Sequence, residues 1–129
     1  MAVLRFHHTG IACRDIAEAL AFVESVHAVV ERSDIVHDAG QDADVCLVTL
    51  ADGSALEFVS GPVVANLVSK GISTYHLCYE VADLDAAIAD LTSQRCRVVS
   101  GPTAAPLFDG RQVAFLFSPL GLIELLAAR

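Results

Sequence analysis

The chain has 129 residues, about the length of one domain and enough for a single hydrophobic core. Eight Lys and Arg against sixteen Asp and Glu residues give a net charge of −8, and aromatic residues are few. Without a basic stripe or an aromatic ladder, neither nucleic acid nor an anionic membrane surface is an expected partner. No apolar run reaches the ~18 residues of a membrane helix. Arg5, His7 and His8 interrupt the stretch that a signal peptide would need, so we expect a cytoplasmic protein.

The first half of the chain predicts a strand, a helix and then further strands. Residues 3–13 suit a strand, and Asp15 is placed to cap a helix whose apolar stripe runs from Ile16 to Val26. Strand patterns follow over residues 29–36, 45–50 and 55–60. The segment Ala51-Asp52-Gly53-Ser54 forms the turn before the last strand. One β-α-β-β-β module is therefore predicted.

The second half repeats this order after a linker over residues 61–73, which has a short helix over 63–68. A strand over 74–82 leads to Asp83 as helix cap, and the apolar stripe of the helix runs from Leu84 to Leu91. Strands are predicted over 97–100, 112–118 and 122–127. Between the first two lies a long loop from Gly101 to Arg111, rich in Pro and Gly and typical of a lid or binding loop.

The two halves match residue by residue. A shift of 68 places His8 on His76, and with one residue fewer in the turn Glu57 falls on Glu124. We therefore predict an α+β fold in which two tandem β-α-β-β-β modules form a curved mixed-sheet cup. The expected organisation is one domain over 1–129, with module one at 1–60, the linker at 61–73 and module two at 74–129.

The alternation of strand side chains predicts that these four polar residues share the inner face of the cup. Leu56 and Phe58 point away from Glu57, and the neighbours of Glu124 are likewise apolar and opposite to it. A carboxylate buried without a cation is costly, so two repeat-equivalent glutamates indicate a cation site. The alternative is a set of hydrogen-bonded structural residues.

Two imidazoles and two carboxylates suit a divalent ion such as Co, Ni, Mn, Zn or Mg, with room left for about two waters. A chelating substrate could replace these waters, and the ion would stabilise the charge formed when a proton leaves a carbon next to a carbonyl. Glu57 and Glu124 are the candidates for taking and returning that proton.

Specificity is expected from residues around this site. The candidates are Phe108, Asp109 and Arg111 on the long loop, and Lys70 in the linker; Arg111 suits a carboxylate or phosphate. Glu80 shares the strand face of His76 and is a further candidate. The alternative for the loop residues is that they are ordinary solvated side chains.

The four cysteines stand apart from one another with no CxxC pair, which predicts reduced, mostly buried thiols. The remaining histidines fit the site less well. His7 lies on the wrong strand face for the site, and His27 and His37 are expected in solvent.

Three parts of the chain carry a family resemblance: His8-Thr9-Gly10-Ile11-Ala12, the segment from Lys70-Gly71 to Tyr75-His76-Leu77-Cys78-Tyr79-Glu80-Val81, and Val113-Ala114-Phe115 together with Leu122-Ile123-Glu124-Leu125. With them the chain resembles the vicinal oxygen chelate superfamily over its full length, and is most similar to methylmalonyl-CoA epimerases. The resemblance implies that His8, Glu57, His76 and Glu124 are metal ligands. Their His, Glu, His, Glu order is similar to that of some glyoxalase I enzymes. A carboxylate proposed as second base in some epimerases falls at Cys46.

The expected function is a metal-dependent epimerase or isomerase on a small molecule, with an acyl-CoA thioester as one candidate substrate. The alternatives are a glyoxalase I-type lyase on a thiol conjugate, an extradiol-dioxygenase-like Fe(II) enzyme, and a binding protein that sequesters an antibiotic. A homodimer is expected, as in relatives.

Overall fold

The computed structural model describes residues 3–129, so the first two positions of the predicted module one lie outside it. The elements in chain order are β1 (Arg5–Ala12), α1 (Ile16–Val26), β2 (Val29–Arg32), β3 (Val36–Asp38), β4 (Ala43–Leu50), β5 (Ala55–Ser60), α2 (Ala65–Ser69), β6 (Thr74–Val81), α3 (Leu84–Thr92), β7 (Arg97–Ala105), β8 (Arg111–Ser118) and β9 (Gly121–Ala127). The chain divides into two compact units. The N-terminal unit is residues 8–75, and the C-terminal unit is residues 76–129 with the described residues up to His7.

In the N-terminal unit the strand order is β2-β4-β5-β1, and β3 also pairs with β4. β1 and β5 run parallel, and the other pairs are antiparallel. Helix α1 packs Ile16, Leu20 and Val23 against one face of the sheet, where Val48 and Phe58 belong to the same core. The opposite face of β5 carries Glu57.

In the C-terminal unit the order is β6-β9-β8-β7, with β6 and β9 parallel and the other pairs antiparallel. Helix α3 packs Leu84 and Ala87 against a core that includes Leu116, Ile123 and Leu125. The α+β class and the repeated β-α-β-β-β order are confirmed. One detail differs, because β2 covers only Val29–Arg32 of the strand predicted over 29–36, and Val36 begins a separate strand, β3. Ser33 lies between them, and its hydroxyl accepts a hydrogen bond from Leu47 N at 2.9 Å.

Both predicted helix caps are confirmed. Asp15 accepts a hydrogen bond from Ala17 N at 2.9 Å, and Asp83 accepts one from Ala86 N at 3.1 Å. The apolar stripe of α1 ends earlier than predicted. Its last buried residue is Val23, and Val26 in the final turn is 56% exposed.

The long loop predicted from Gly101 to Arg111 is wrong, because β7 continues to Ala105 and only a short 3-10 turn, Pro106–Phe108, precedes β8. Proline is tolerated here because β7 is an edge strand and its pairing with β8 shifts register twice. Gly101 has a φ of 86°, and a Cβ at this position would lie 2.5 Å from the Val113 carbonyl oxygen. The Pro and Gly that indicated a loop therefore belong to an irregular edge strand.

The first described residues pack with the second half of the chain. Leu4 packs against the core of the C-terminal unit, and the rings of Phe6 and Tyr79 lie 5.8 Å apart. Within residues 3–129, no helix has both the length and the apolar composition needed to cross a membrane.

Candidate functional site

The N-terminal unit brings the first predicted His and Glu together. In the parallel pair of β1 and β5, Gly10 is opposite Glu57, and His8 precedes Gly10 by two residues on the same face. His8 Nε2 lies 3.5 Å from Glu57 Oε1. The two residues are only 0% and 5% exposed, so the pair is held away from bulk water.

The C-terminal unit repeats the same arrangement. Cys78 of β6 is opposite Glu124 of β9, and His76 precedes Cys78 by two residues. His76 Nε2 lies 3.3 Å from Glu124 Oε1, and both residues are 2% exposed. The internal repeat of the sequence is thus a repeat of strand register, because the same two atoms face each other in each unit.

Each glutamate has a large apolar residue opposite it on the antiparallel side. Leu47 of β4 is opposite Glu57, and Phe115 of β8 is opposite Glu124. The Phe115 ring meets the His76 ring edge to face, with centroids 5.4 Å apart. Sequence reasoning missed Phe115 as a neighbour of the site. Counting back through the β8–β9 hairpin from Glu124 would have identified it.

The geometry of both pairs fits two ligands of one metal ion. Ligands that bind an ion at about 2.1 Å lie about 3.0 Å apart at a right angle and about 3.4 Å apart at the tetrahedral angle. N–H···O hydrogen bonds usually span about 2.7–3.2 Å, which is shorter than the 3.5 Å and 3.3 Å seen here. Buried imidazole nitrogen and carboxylate oxygen are also the donors that divalent metals of the Zn, Co and Ni type accept. The residues present therefore fit such an ion.

Glu80 and Arg111 form an ion pair on the face of the C-terminal unit that carries His76. Arg111 Nη2 donates to Glu80 Oε2, and Arg111 Nε donates to the Ala127 carbonyl at 2.8 Å. Arg5 Nη1 lies 3.9 Å from the other Glu80 oxygen. The Arg111 hydrogen bond holds the pKa of Glu80 below its usual range. Arg111 stands at the start of β8 rather than on a loop, with 11% of its side chain exposed.

The other predicted specificity residues lie in varied surroundings. Phe108 is buried in the turn before β8, and its ring meets the His7 ring edge to face at 5.6 Å. Asp109 is exposed and lies 3.3 Å from Arg129. Lys70 is exposed directly after α2.

Cys46 cannot act beside Glu57, because it lies on the other face of β4. Its strand partner is Phe58, and it belongs to the core under α1. None of the four cysteines forms a disulfide; Cys46 and Cys78 are buried, and Cys13 and Cys96 are partly buried. Burial raises the pKa of the Cys13 thiol to about 11, and burial also raises the pKa of Cys46.

The exposed histidines are placed as expected. His27 caps the end of α1, and His37 lies in β3 with its ring nitrogen 2.9 Å from Asp44. Both are exposed to solvent.

Solved structures with the same fold include methylmalonyl-CoA epimerases. The enzyme from Mycobacterium tuberculosis is 20% identical with a TM-score of 0.76, over 97% of this chain and 88% of that one. A Streptomyces coelicolor methylmalonyl-CoA epimerase variant in complex with 2-nitronate-propionyl-CoA is 23% identical with a TM-score of 0.73, over 96% of each chain. A hypothetical protein from Bacillus halodurans C-125 is 20% identical with a TM-score of 0.74, over 98% of this chain and 95% of that one.

These TM-scores establish a shared fold, and at such low identities the likeness shows the fold alone. No curated protein matches the sequence at a significant level. A family model matches residues 7–115, which is most of the chain. The chain therefore belongs to the glyoxalase/bleomycin resistance protein/dioxygenase superfamily.

Proposed function

We propose that His8, Glu57, His76 and Glu124 bind one divalent metal ion, and that the chain is an epimerase or isomerase that moves a proton at a carbon next to a carbonyl group. The proposal rests above all on the two buried His–Glu pairs, whose Nε2 and Oε1 atoms lie 3.5 Å and 3.3 Å apart in the same register. It is also supported by the superfamily and by the epimerases among the structures of similar fold.

The chemistry follows from these side chains. A bound divalent ion supplies a Lewis acid for the negative charge that develops on the substrate carbonyl oxygen. His8 and His76 would hold the ion through Nε2, the ring nitrogen that faces the glutamate oxygen in each pair. Glu124 or Glu57 accepts the proton from the substrate carbon, and the same or the other carboxylate returns it. The low exposure of all four residues keeps bulk water from competing for that proton.

The substrate is proposed to be a small molecule with a second polar group near its carbonyl, with an acyl-CoA thioester as the first candidate. Arg111 and Phe108 are proposed to contact it, and Lys70 is a further candidate. Glu80 is proposed as the residue that positions Arg111, because it accepts a hydrogen bond from that guanidinium. We further propose that the protein acts in the cytoplasm. We also propose that it forms a homodimer, and light scattering of the purified protein would test this oligomeric state.

Metal content tests the proposed ligands. We expect the purified protein to hold about one equivalent of a divalent metal, measured by inductively coupled plasma mass spectrometry. Replacing His76 by Ala should remove it. His37→Ala is the matched control, because His37 is exposed and belongs to neither buried pair. Retention of metal by the His76 variant, or loss of metal from both variants, would contradict the proposed site.

Proton exchange tests the reaction. The metal-loaded protein is incubated in D2O with methylmalonyl-CoA and with a panel of 2-hydroxy acids, 2-oxo acids and thioesters, and NMR follows the α-carbon. We expect deuterium to enter that position and Glu124→Gln to abolish the exchange. Glu31→Gln, the same change at an exposed position of β2, should leave it intact. Full metal occupancy without exchange in any substrate would reject the epimerase proposal.

A glyoxalase I-type lyase is the second candidate, because the His, Glu, His, Glu ligand order favours it. Such an enzyme would convert the adduct of a thiol and a 2-oxoaldehyde into a thioester, which absorbs near-ultraviolet light. Formation of this product without exchange in acyl thioesters would favour the lyase. A protein that bound no metal would instead support a ligand-sequestering role.

A further inference from the structure

Besides the His76–Glu124 pair, the C-terminal unit has a pocket of about 360 Å³ that neither residue of the pair lines. It lies where the turn after α3 meets the start of β7 and the end of β8. The residues that line it are Arg95, Arg97, Phe117, Ser118 and Pro119. None of them is a residue to which the proposed function assigns a role.

The charge of this pocket is unusual for so acidic a chain. The other five arginines all lie in ion pairs with carboxylates: Arg5, Arg14, Arg32, Arg111 and Arg129. Arg95 and Arg97 lie in no such pair anywhere in residues 3–129. Two arginines without an acidic partner therefore stand side by side in a protein with a net charge of −8. The pocket is a local exception that favours an anionic ligand.

The pocket also offers flat surfaces. Arg97 of β7 is directly opposite Phe117 of β8, and the Arg97 Cζ atom lies 5.4 Å from the centroid of the Phe117 ring. Phe117 is 47% exposed, although an aromatic ring is usually buried. Aromatic rings and guanidinium planes both stack on nucleobases, and arginine also binds phosphate through paired donors. A planar base that carries phosphate matches both properties.

The pocket lies on the same sheet face as the proposed reaction centre. Phe117 follows Phe115 by two residues on β8, and Phe115 is opposite Glu124. Two residues of strand span about 7 Å. The arm that joins the acyl group of a CoA thioester to its nucleotide is longer than this when extended. A ligand with its reacting carbon beside Glu124 would therefore place its anionic part in the pocket with the arm folded over β8.

We propose that this pocket binds the phosphorylated nucleotide part of the substrate, with phosphate on Arg95 and Arg97 and the base against Phe117. The inference rests on the proposed function in one respect, because an acyl-CoA thioester carries such a nucleotide. It narrows the substrate class to acyl groups attached to a nucleotide carrier through a flexible arm.

Binding of adenosine 3′,5′-bisphosphate, measured by titration calorimetry on the full chain with and without metal, tests the pocket. We expect binding that weakens with salt and that falls about tenfold or more in Arg95→Gln/Arg97→Gln, the loss expected for charge-assisted contacts. Arg32→Gln is the matched control, since Arg32 is exposed and already paired with Glu24. Unchanged binding in the double variant would overturn the inference. Pyrophosphate binding as tightly as the nucleotide would also overturn it, because the site would then be a plain anion site.

The failure of this inference can be told apart from the failure of the proposed function. If the parent catalyses α-proton exchange in both a CoA thioester and a pantetheine thioester, the proposed function stands. The inference then requires the double variant to lose the preference for the CoA thioester, and an unchanged preference would refute it. If no exchange occurs, nucleotide binding that depends on Arg95 and Arg97 would still support the pocket, and the reaction proposal would fail alone.

Discussion

The His76–Glu124 pair allows a stability test in which a metal ligand pair and a structural pair give opposite results. We consider the double variant His76→Leu/Glu124→Met, which replaces both buried polar side chains by apolar ones of similar size. Both residues are 2% exposed, so neither new side chain reaches solvent. A buried polar pair that is kept for metal binding should destabilise the metal-free fold relative to well-packed apolar residues.

The expected magnitudes follow from these positions. Without metal, the double variant should be more stable than the parent by about 1–4 kcal/mol, the range seen when buried ion pairs are replaced by apolar residues. With metal at a hundred times the dissociation constant, the parent should gain about 2.7 kcal/mol. For a chain of this length that gain raises the melting temperature by roughly 10 °C, at about 3–4 °C per kcal/mol. The variant should gain nothing.

The assay is urea and thermal unfolding followed by far-ultraviolet circular dichroism, because the chain contains no Trp for fluorescence. Each protein is measured in chelator and in excess Co, Ni, Mn, Zn or Mg. The control is His37→Gln/Asp44→Asn, which removes an exposed His–Asp pair whose nitrogen and oxygen lie 2.9 Å apart. The control should change the free energy of unfolding by less than about 1 kcal/mol and keep the metal response.

Two results together would refute this reasoning. The first is a double variant that is several kcal/mol less stable than the parent in chelator, as breaking a structural hydrogen-bonded network would cause. The second is a parent whose melting temperature does not respond to any of the metals. The histidine and glutamate would then be structural residues.

Three further outcomes are expected. Asp83→Ala should lower the free energy of unfolding, measured in urea, by about 1 kcal/mol, because Asp83 caps α3 by accepting a hydrogen bond from Ala86 N. The control is Asp34→Ala at an exposed position, and equal effects of the two substitutions would contradict the cap. The pKa of Glu80 is lowered by Arg111, so their pairing should stabilise the fold fully above about pH 4.3 and progressively less as the pH falls through the lower folded value. The difference in unfolding free energy between the parent and Glu80→Gln should therefore shrink in acid. A difference that grew on acidification would contradict this prediction. The pKa of Cys13 is about 11, so iodoacetamide should label it at pH 8 about a hundredfold more slowly than an ordinary thiol, as mass spectrometry would show. Labelling at the rate of glutathione would contradict this prediction.

Much of the fold could be predicted from the sequence because the patterns that indicate helices and strands involve residues close together in the chain. The helix caps Asp15 and Asp83 need only the next two or three backbone N–H groups, and the helix stripes need only the helical period. The placement of His8 and Glu57 on one sheet face, and of His76 and Glu124 on one sheet face, could be anticipated because strand alternation and the internal repeat constrain it. That the four residues bind one ion remains a prediction.

The predictions that were wrong concern residues whose structure depends on packing or pairing with other parts of the chain. Pro and Gly over residues 101–111 indicated a loop, but pairing with β8 extends β7 through them, since an edge strand tolerates missing donors and register shifts. Val26 fitted the apolar stripe of α1, yet it is exposed, and Val23 is the last residue of the helix that is buried.

The sequence by itself determined the repeated modules, the helix limits to within a turn, and which residues alternate onto the face that carries the glutamates. Only the tertiary structure decided the strand register that sets Gly10 opposite Glu57 and Cys78 opposite Glu124. It also decided the ion pair of Arg111 with Glu80 and the contact of Arg97 with Phe117. The physical reason is that hydrogen-bond period and capping act within a few residues, whereas strand pairing joins residues that are distant in the chain. Many pairings satisfy the same alternation, and packing of the whole unit selects one.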